Sequence, residues 1–162
     1  MEVLLQRGAP VDEPGGLIAR RRYLSNFRPL HWAAYMGHAE VIRLLLSHGA
    51  DVHAKEGAGR SALFLATRWA HVPAVLELVA GGASPRQRCV CGIEGSANIT
   101  SVELAERLSI VYQFPQMVPG SHELEYDTPL QTFPGHEGYQ HVRNILRLSS
   151  ALRNASTTIT KS

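Results

Sequence analysis

Two cysteines, Cys89 and Cys91, are separated by a single residue in the sequence. Thiolates bind zinc, and together with His136 and His141 they would supply four ligands of a suitable type. Zinc sites usually contain CxxC pairs or closely spaced histidines, whereas these histidines lie far beyond the cysteines in the chain. A disulfide framework would need more cysteines at better spacing. The sequence therefore predicts two thiols in a loop, with no metal and no cofactor.

Motifs typical of catalysis are absent from the sequence. It contains no GxSxG, P-loop, GxGxxG or HExxH pattern, and no pair of carboxylates in a context that suggests acid–base chemistry. A nucleophilic cysteine would need a histidine partner, and the sequence identifies none. We therefore expect a protein that is not an enzyme.

Charge and hydropathy exclude further classes of function. The net charge is +2, with 19% charged residues, so no strong global field favours binding to nucleic acid or to a membrane surface. No apolar run approaches the roughly 20 residues that span a bilayer. The first residues, MEVLLQRGAP, lack the features of a signal peptide. The expected location is cytoplasmic or nuclear.

One local cluster of positive charge stands out, formed by Arg20, Arg21 and Arg22 and followed by Tyr23. It could contact an acidic patch on a protein partner, or it could be a solvated loop. Other basic residues follow later in the chain, but nearby acidic residues offset them. The hypothesis of an acidic partner therefore concerns this cluster and not the whole surface.

Two segments of the chain repeat each other at a fixed distance. RPLHWAAYMGHAEVIRLLLSHGAD, residues 28–51, aligns with SALFLATRWAHVPAVLELVAGGAS, residues 61–84. The matched pairs all lie at one constant offset: Leu30 and Leu63, Ala33 and Ala66, His38 and His71, Leu45 and Leu78, Gly49 and Gly82. Such a constant period is typical of a solenoid, in which each repeat buries its apolar face only by stacking on its neighbours.

The period and the residues within it resemble the ankyrin-repeat family. PLHWAAYMGHAEVIRLLLSHGADVHA, residues 29–54, is similar to the family consensus almost residue by residue. The resemblance implies an all-α solenoid of helix-turn-helix repeats joined by extended finger loops. It also implies that His31 and His38 make local hydrogen bonds between turns and repeats and have no catalytic role. Arg28 and Phe64 replace the family's threonine and first histidine, so the second repeat is expected to be less regular than the first.

Weaker copies flank the two clear repeats, so residues 1–152 are assigned to one array. Residues 2–12 resemble the end of an earlier repeat, and residues 100–148 resemble a degenerate later one. The degenerate repeat is interrupted at 109–135 by a segment rich in Pro, Gly and aromatic residues, which predicts a loop. Residues 153–162 are predicted to be a flexible tail.

In the family, two positions near the end of each first helix face the concave groove and typically carry binding specificity. By this resemblance the groove positions form two rows across the repeats: Tyr35, Arg68 and Arg107 in one, and Met36, Trp69 and Leu108 in the other. Tyr, Trp and Arg are the residues most enriched at binding hot spots. Either these positions are exposed and bind a partner, or the segment 109–135 folds back and covers them.

The resemblance implies protein–protein recognition through the groove positions and the finger tips, including the arginine cluster in the first finger. One alternative is a substrate adaptor within a larger complex, for example in ubiquitin transfer. Another is a truncated fragment without a function of its own, because the chain begins within a repeat and leaves residues 3–5 without their usual cover. A complete module is expected to be monomeric, whereas a fragment is expected to self-associate through its uncapped end.

Overall fold

The computed structural model describes residues 9–14, 26–91, 97–113 and 136–159. These residues form six helices: α1 (Pro29–Met36), α2 (Ala39–Ser47), α3 (Ala62–Arg68), α4 (Val72–Ala80), α5 (Ser101–Gln113) and α6 (His136–Ile159). Two short strands, β1 (Arg88–Cys91) and β2 (Ala97–Thr100), lie between α4 and α5. The expected helical repeat solenoid is confirmed, with the addition of this small sheet.

The helices form two rows. The first helices of successive repeats pack on each other, α1 against α3 and α3 against α5, while α2 packs against α4 and α4 against α6. Within each repeat the two helices also pack on each other, as α1 does on α2. The pair α5 and α6 therefore extends both rows, although the segment 114–135 separates its two helices in sequence.

Small and branched apolar residues fill the space between the rows. Pro29 occupies the first turn of α1, where its missing N–H leaves no helical hydrogen bond unmade. Ala33 and Ala34 are buried, and their short side chains allow neighbouring helices to approach closely. Residues at matching positions of the two clear repeats are buried alike, as at Leu45 and Leu78. The core is thus continuous across the repeats, as the stacking of a solenoid requires.

The turn between α1 and α2 depends on a glycine. Gly37 has φ of 77°, in the left-handed region that glycine adopts without strain. A Cβ at this position would lie 2.7 Å from the ring of His71, in the next repeat. Both the backbone conformation and the approach of the neighbouring repeat therefore require glycine here.

The third finger, which connects α4 to α5, contains an antiparallel pair of strands and not a loop. β1 pairs with β2 so that Cys89 faces Ile99, and both side chains are buried. Ala105 follows Ala66 by more than one repeat period, so this finger has the length to fold back on itself. The expectation of two loop thiols is wrong for Cys89, which is fully buried on a strand. The side chain of Cys91 lies outside the described residues.

The last helix is longer than expected. The sequence places the end of the array at residue 152 and a flexible tail after it, whereas α6 continues to Ile159. The residues from 153 to 159 contain no proline or glycine, so nothing in their sequence ends the helix earlier. The interruption at 109–135 also begins later than expected, because α5 runs on to Gln113.

Candidate functional site

The groove positions differ from one another in exposure. Met36 is 39% exposed and Arg107 is exposed, while Tyr35 and Arg68 are half-buried. Trp69 and Leu108 are only 8% and 9% exposed. The expected row of exposed apolar side chains at Met36, Trp69 and Leu108 is therefore wrong at two of its three positions.

The two buried positions differ from Met36 in their place on the helix. Met36 is the last residue of α1, whereas α3 ends at Arg68 and leaves Trp69 as the capping residue after the helix. The Trp69 ring meets Tyr35 edge-on at 5.8 Å between centroids, and the Arg68 guanidinium lies 5.7 Å from its centroid. Leu108 lies in the middle of the longer helix α5 and belongs to the core.

Trp69 belongs to a chain of aromatic contacts that joins the two full repeats. Phe27 is buried, and its ring centroid lies 4.9 Å from that of Trp32 and 6.4 Å from that of Tyr35. The rings of Trp32 and Tyr35 also meet edge-on, with 6.2 Å between their centroids. Tyr35 then contacts Trp69 in the next repeat. Edge-on pairs at these distances are favourable beyond their burial. Phe27 and Trp32 are not among the residues predicted from the sequence, although the i, i+3 spacing of Trp32 and Tyr35 indicates a shared helix face.

Two hydrogen-bonded histidines hold backbone segments together. The Nδ1 atom of His31 accepts from the backbone N–H of Arg28 at 3.1 Å, and its Nε2 donates to the carbonyl oxygen of Ala54 at 3.1 Å. His71 donates from Nε2 to the carbonyl oxygen of Tyr35 at 3.1 Å and so links the two repeats. The expected hydrogen-bonding role is confirmed at His31. The link between repeats is made at His71, one repeat period after His38, which is itself exposed.

Burial favours the neutral form of both hydrogen-bonded histidines. Burial lowers the pKa of His31, and the hydrogen bond to Ala54 and the charge of Glu56 only partly offset it. Burial likewise lowers the pKa of His71, against the opposing effect of its bond to Tyr35. A neutral ring with Nε2 protonated is also the form that the two hydrogen bonds of His31 require. The two rings therefore act as structural connectors.

The second finger, which connects α2 to α3, contains charged residues that make contacts within the fold. Glu56 and Arg60 form an ion pair of 2.8 Å between two nearly buried side chains, and Glu56 also accepts from the backbone N–H of Ala58 at 2.7 Å. Lys55 donates to the carbonyl oxygen of Arg88 at 2.8 Å, which ties this finger to the next. The buried pair stabilises a tight turn of the finger, so Arg60 does not add positive charge to its surface.

The first finger, which connects the partial repeat at 2–12 to the full repeat at 28–51, lies mostly outside the described residues. That part includes Arg20, Arg21, Arg22 and Tyr23, so their expected contact with an acidic partner stays a prediction. Before the finger, Asp12 accepts from the backbone N–H of Asp51 at 3.0 Å. Asp12 also lies 3.7 Å from Arg28, so the segment before the first finger is attached to the first full repeat.

Two properties of the described part of the chain bear on function. It holds no group of three or more His, Cys, Asp or Glu side chains placed to bind one metal ion. Within the same residues, no helix combines the length and the apolar character needed to cross a membrane.

Comparisons with known proteins find short stretches of similarity. The chain is 42% identical over 62 residues to the human protein "Palmitoyltransferase ZDHHC13", a stretch that covers 38% of this chain and 9% of that protein. It is 45% identical over 51 residues to "E3 ubiquitin-protein ligase XBAT33" of Arabidopsis thaliana, covering 32% of this chain and 10% of that protein. It is 50% identical over 40 residues to "NF-kappa-B inhibitor cactus" of Drosophila yakuba, covering 24% and 8%.

These relatives differ in their activities, and this chain spans only a small part of the length of each. The family model for "Ankyrin repeats (3 copies)" matches residues 2–89, which is more than half of the chain. The constant repeat period, the two rows of helices and the linking histidine all agree with this match. The chain belongs to the ankyrin-repeat family.

Proposed function

We propose that the chain is a protein–protein interaction module whose groove positions contact the partner through Tyr35, Met36, Arg68 and Arg107. The observation that carries the proposal is the exposure of Met36, an apolar side chain left 39% accessible beside the half-buried Tyr35. Met, Tyr and Arg are enriched at protein interfaces relative to the rest of the surface. Trp69 and Leu108 support this surface from beneath, and their burial removes them from direct contact.

A matched pair of substitutions tests the groove. Met36 and Leu76 are both exposed apolar residues, but Leu76 lies on α4, a second helix, at 49% exposure. Cross-linking followed by quantitative mass spectrometry is carried out with the wild type, Met36→Gln and Leu76→Gln. We expect the Met36 variant to lose partners that the Leu76 variant retains. Equal recovery of all partners by the two variants would contradict binding at the groove positions.

The proposal includes a second contact with the partner, made by the arginine cluster of the first finger. If Arg20, Arg21 and Arg22 meet an acidic patch on the partner, replacing all three with Ala slows association and flattens its dependence on salt, because charges act mainly on the association rate. Salt screens such effects over about 8–10 Å. The location that suits this function is cytoplasmic or nuclear.

A second proposal is favoured by the similarity to the Arabidopsis ubiquitin ligase. In this proposal the array is a substrate adaptor, and a catalytic partner acts on the protein that the groove holds. The cross-linking experiment separates the two proposals. Recovery of ubiquitin-transfer proteins by both the wild type and Met36→Gln favours an adaptor whose recruiting surface lies elsewhere.

A further inference from the structure

A cleft of about 500 Å³ lies where the third finger meets the last repeat. It is bounded by the turn after α4, by β1, by the start of α5 and by α6. Its polar lining includes Arg86, Arg88, Thr100, Glu103, Arg147 and Ser150. None of the groove positions lines it, so it is a separate feature of the surface.

Three arginines from three different elements line this cleft. The Nε atom of Arg86 donates to the Ser150 hydroxyl at 2.7 Å, which fixes the side chain against α6. Arg147 donates from Nε and Nη2 to one carboxylate oxygen of Glu106, at 3.0 and 2.6 Å. Within the described part of the chain, Arg86 and Arg88 form no ion pair. The charge of Arg147 is therefore compensated, and the charges of Arg86 and Arg88 are not.

Glu103 is the acidic residue of the lining, and it is engaged in capping a helix. Its Oε2 accepts from the backbone N–H of Thr100 at 2.9 Å, and its own N–H donates to the Thr100 hydroxyl at 3.2 Å. This reciprocal pair is a capping box at the start of α5. Its one negative charge opposes two uncompensated positive ones, so the cleft retains a net attraction for anions.

We propose that this cleft binds a phosphate monoester. A phosphate monoester carries a charge of about −1.5 to −2 at neutral pH, so Arg86 and Arg88 attract it more strongly than they attract a single carboxylate, although Glu103 opposes part of this attraction. Guanidinium groups bind phosphate oxygens through paired, charge-assisted hydrogen bonds. The volume lies within the range of small-molecule sites, which leaves room for the organic part of the ligand. A phosphorylated side chain of a partner and a free phosphorylated metabolite present the same group, and the experiment distinguishes these two sources.

Calorimetric titration of the full chain tests the site. The probes are O-phosphoserine, glutamate, inorganic phosphate, and one short peptide containing serine in phosphorylated and unmodified forms. We expect saturable binding of O-phosphoserine at a ratio of one to one, and weaker binding of glutamate. Tighter binding of the phosphopeptide than of O-phosphoserine would assign the site to a modified protein. Equal binding would assign it to a small phosphorylated molecule.

Three substitutions localise the binding. Arg88→Gln should weaken binding of O-phosphoserine by about tenfold or more, since a charge-assisted hydrogen bond is lost. Glu103→Gln should strengthen binding several-fold, because glutamine can still accept from the Thr100 N–H but carries no charge. Arg43→Gln is the control, since this exposed arginine pairs with Glu40 on α2. Thermal melts of all three variants establish that the fold is retained.

Several results would overturn the proposal. One is the absence of saturable binding by any phosphate probe to the folded wild type. Another is binding of glutamate as tight as that of O-phosphoserine, which would show a site for carboxylates. A third is equal weakening by Arg88→Gln and Arg43→Gln, which would show that the anion responds only to total charge. If Arg88→Gln does not fold, the opposite effect of Glu103→Gln still decides the question.

Discussion

The two full repeats, residues 28–51 and 61–84, have the same architecture but different local contacts. In the first, His31 bonds to the backbone on both sides of its ring. In the second, the matching residue is Phe64, which is fully buried and has no polar side-chain atom. The second repeat instead begins with Ser61, whose hydroxyl accepts from the backbone N–H of Phe64 at 3.3 Å. The serine side chain thus accepts a backbone N–H at the start of the second repeat, as the histidine ring does at the start of the first.

The turns of the two repeats differ in the same way. Gly37 ends α1 with φ of 77°, and its equivalent one period later is Ala70, with φ of 49°. A non-glycine residue in this left-handed region is strained. α3 also has 7 residues where α1 has 8. The expectation of a less regular second repeat agrees with these differences.

The comparison separates residues that set the packing of both repeats from residues that make one repeat differ from the other. Apolar residues at the shared offset, such as Leu45 and Leu78, are buried in both repeats and set the packing. The polar contacts vary between the repeats, and the exposure of matching positions varies as well. Met36 and Trp69 occupy the same position of their repeats, yet one is exposed and the other is buried. Exposure therefore cannot be transferred from repeat to repeat by position alone.

The largest expected effect on the free energy of unfolding concerns the pair Met36 and Trp69. Trp69→Ala should lower the free energy of unfolding by about 3–5 kcal/mol, as removal of a buried aromatic ring does. Met36→Ala should change it by less than about 0.5 kcal/mol, because an exposed side chain contributes little to packing. Urea denaturation of both variants gives the comparison.

A control for this pair keeps an aromatic ring at residue 69. Trp69→Phe retains the edge-on contact with Tyr35 and removes an indole N–H that has no hydrogen-bond partner within the described residues. It should therefore be much less destabilising than Trp69→Ala. Similar losses for Met36→Ala and Trp69→Ala would mean that the two positions do not differ as the structure indicates.

The next effect concerns the glycine of the first turn. Gly37→Ala should cost about 2–4 kcal/mol, because it adds left-handed strain of about 1–2 kcal/mol to a clash with the ring of His71 at 2.7 Å. Gly49→Ala is the matched control, since Gly49 has φ of 86° but a Cβ there would meet nothing within 4 Å. The difference between the two variants in a denaturation experiment measures the clash alone. Equal destabilisation by the two variants would mean that a Cβ at residue 37 does not clash with the ring of His71.

A third effect separates the repeats by their dependence on pH. The folded state lowers the pKa of His31 by burial, so below the usual histidine pKa of about 6.5 the unfolded chain binds the proton more readily. The contribution of His31 to the free energy of unfolding is therefore fully present above that pH. It is lost as the pH falls from about 6.5 towards the lowered pKa of the folded state. Protonation would also place a hydrogen on Nδ1, where the Arg28 N–H now donates.

Melting temperatures measured between about pH 5 and 7.5 test the role of His31. His31→Gln removes the titrating ring and should flatten the loss of stability on acidification. The slope that remains is assigned to His71, whose pKa is lowered in the same direction. The double variant His31→Gln with His71→Gln should be flatter still. An unchanged slope in both variants would show that other groups control the acid sensitivity.

The sequence is sufficient to predict the fold, because the repeat period and the spacing of apolar residues specify it. It predicts the hydrogen bonds of His31 through the family resemblance. It does not predict the exposure of the groove positions, because the burial of Trp69 involves contacts with Tyr35 of the preceding repeat, and the repeat register does not specify the end of the helix before Trp69. Such boundaries are the least certain part of any assignment from sequence.

The third finger could not be predicted for a different reason. The extra length between Ala66 and Ala105 indicates an insertion but not its structure. In the strands, Cys89 and Ile99 meet across the sheet and are buried against the core, a contact that no local pattern specifies. The cleft beside them combines Arg86 with Ser150, which lie far apart in the chain. Its lining is therefore visible only in three dimensions.

The smallest expected effect is a gain in stability in the second repeat. Ala70→Gly should relieve left-handed strain of about 1–2 kcal/mol, since glycine adopts a φ of 49° freely. Against this gain, the variant loses a nearly buried methyl group that contributes about 0.8 kcal/mol. The net result is a stabilisation of roughly 0.5 kcal/mol, which a urea titration with replicate measurements detects. The opposite signs of Gly37→Ala and Ala70→Gly would then show that both turns prefer glycine and that the second tolerates alanine at a small cost. A loss of about 1 kcal/mol or more for Ala70→Gly would instead show that the methyl group is a packing contact that this repeat depends on.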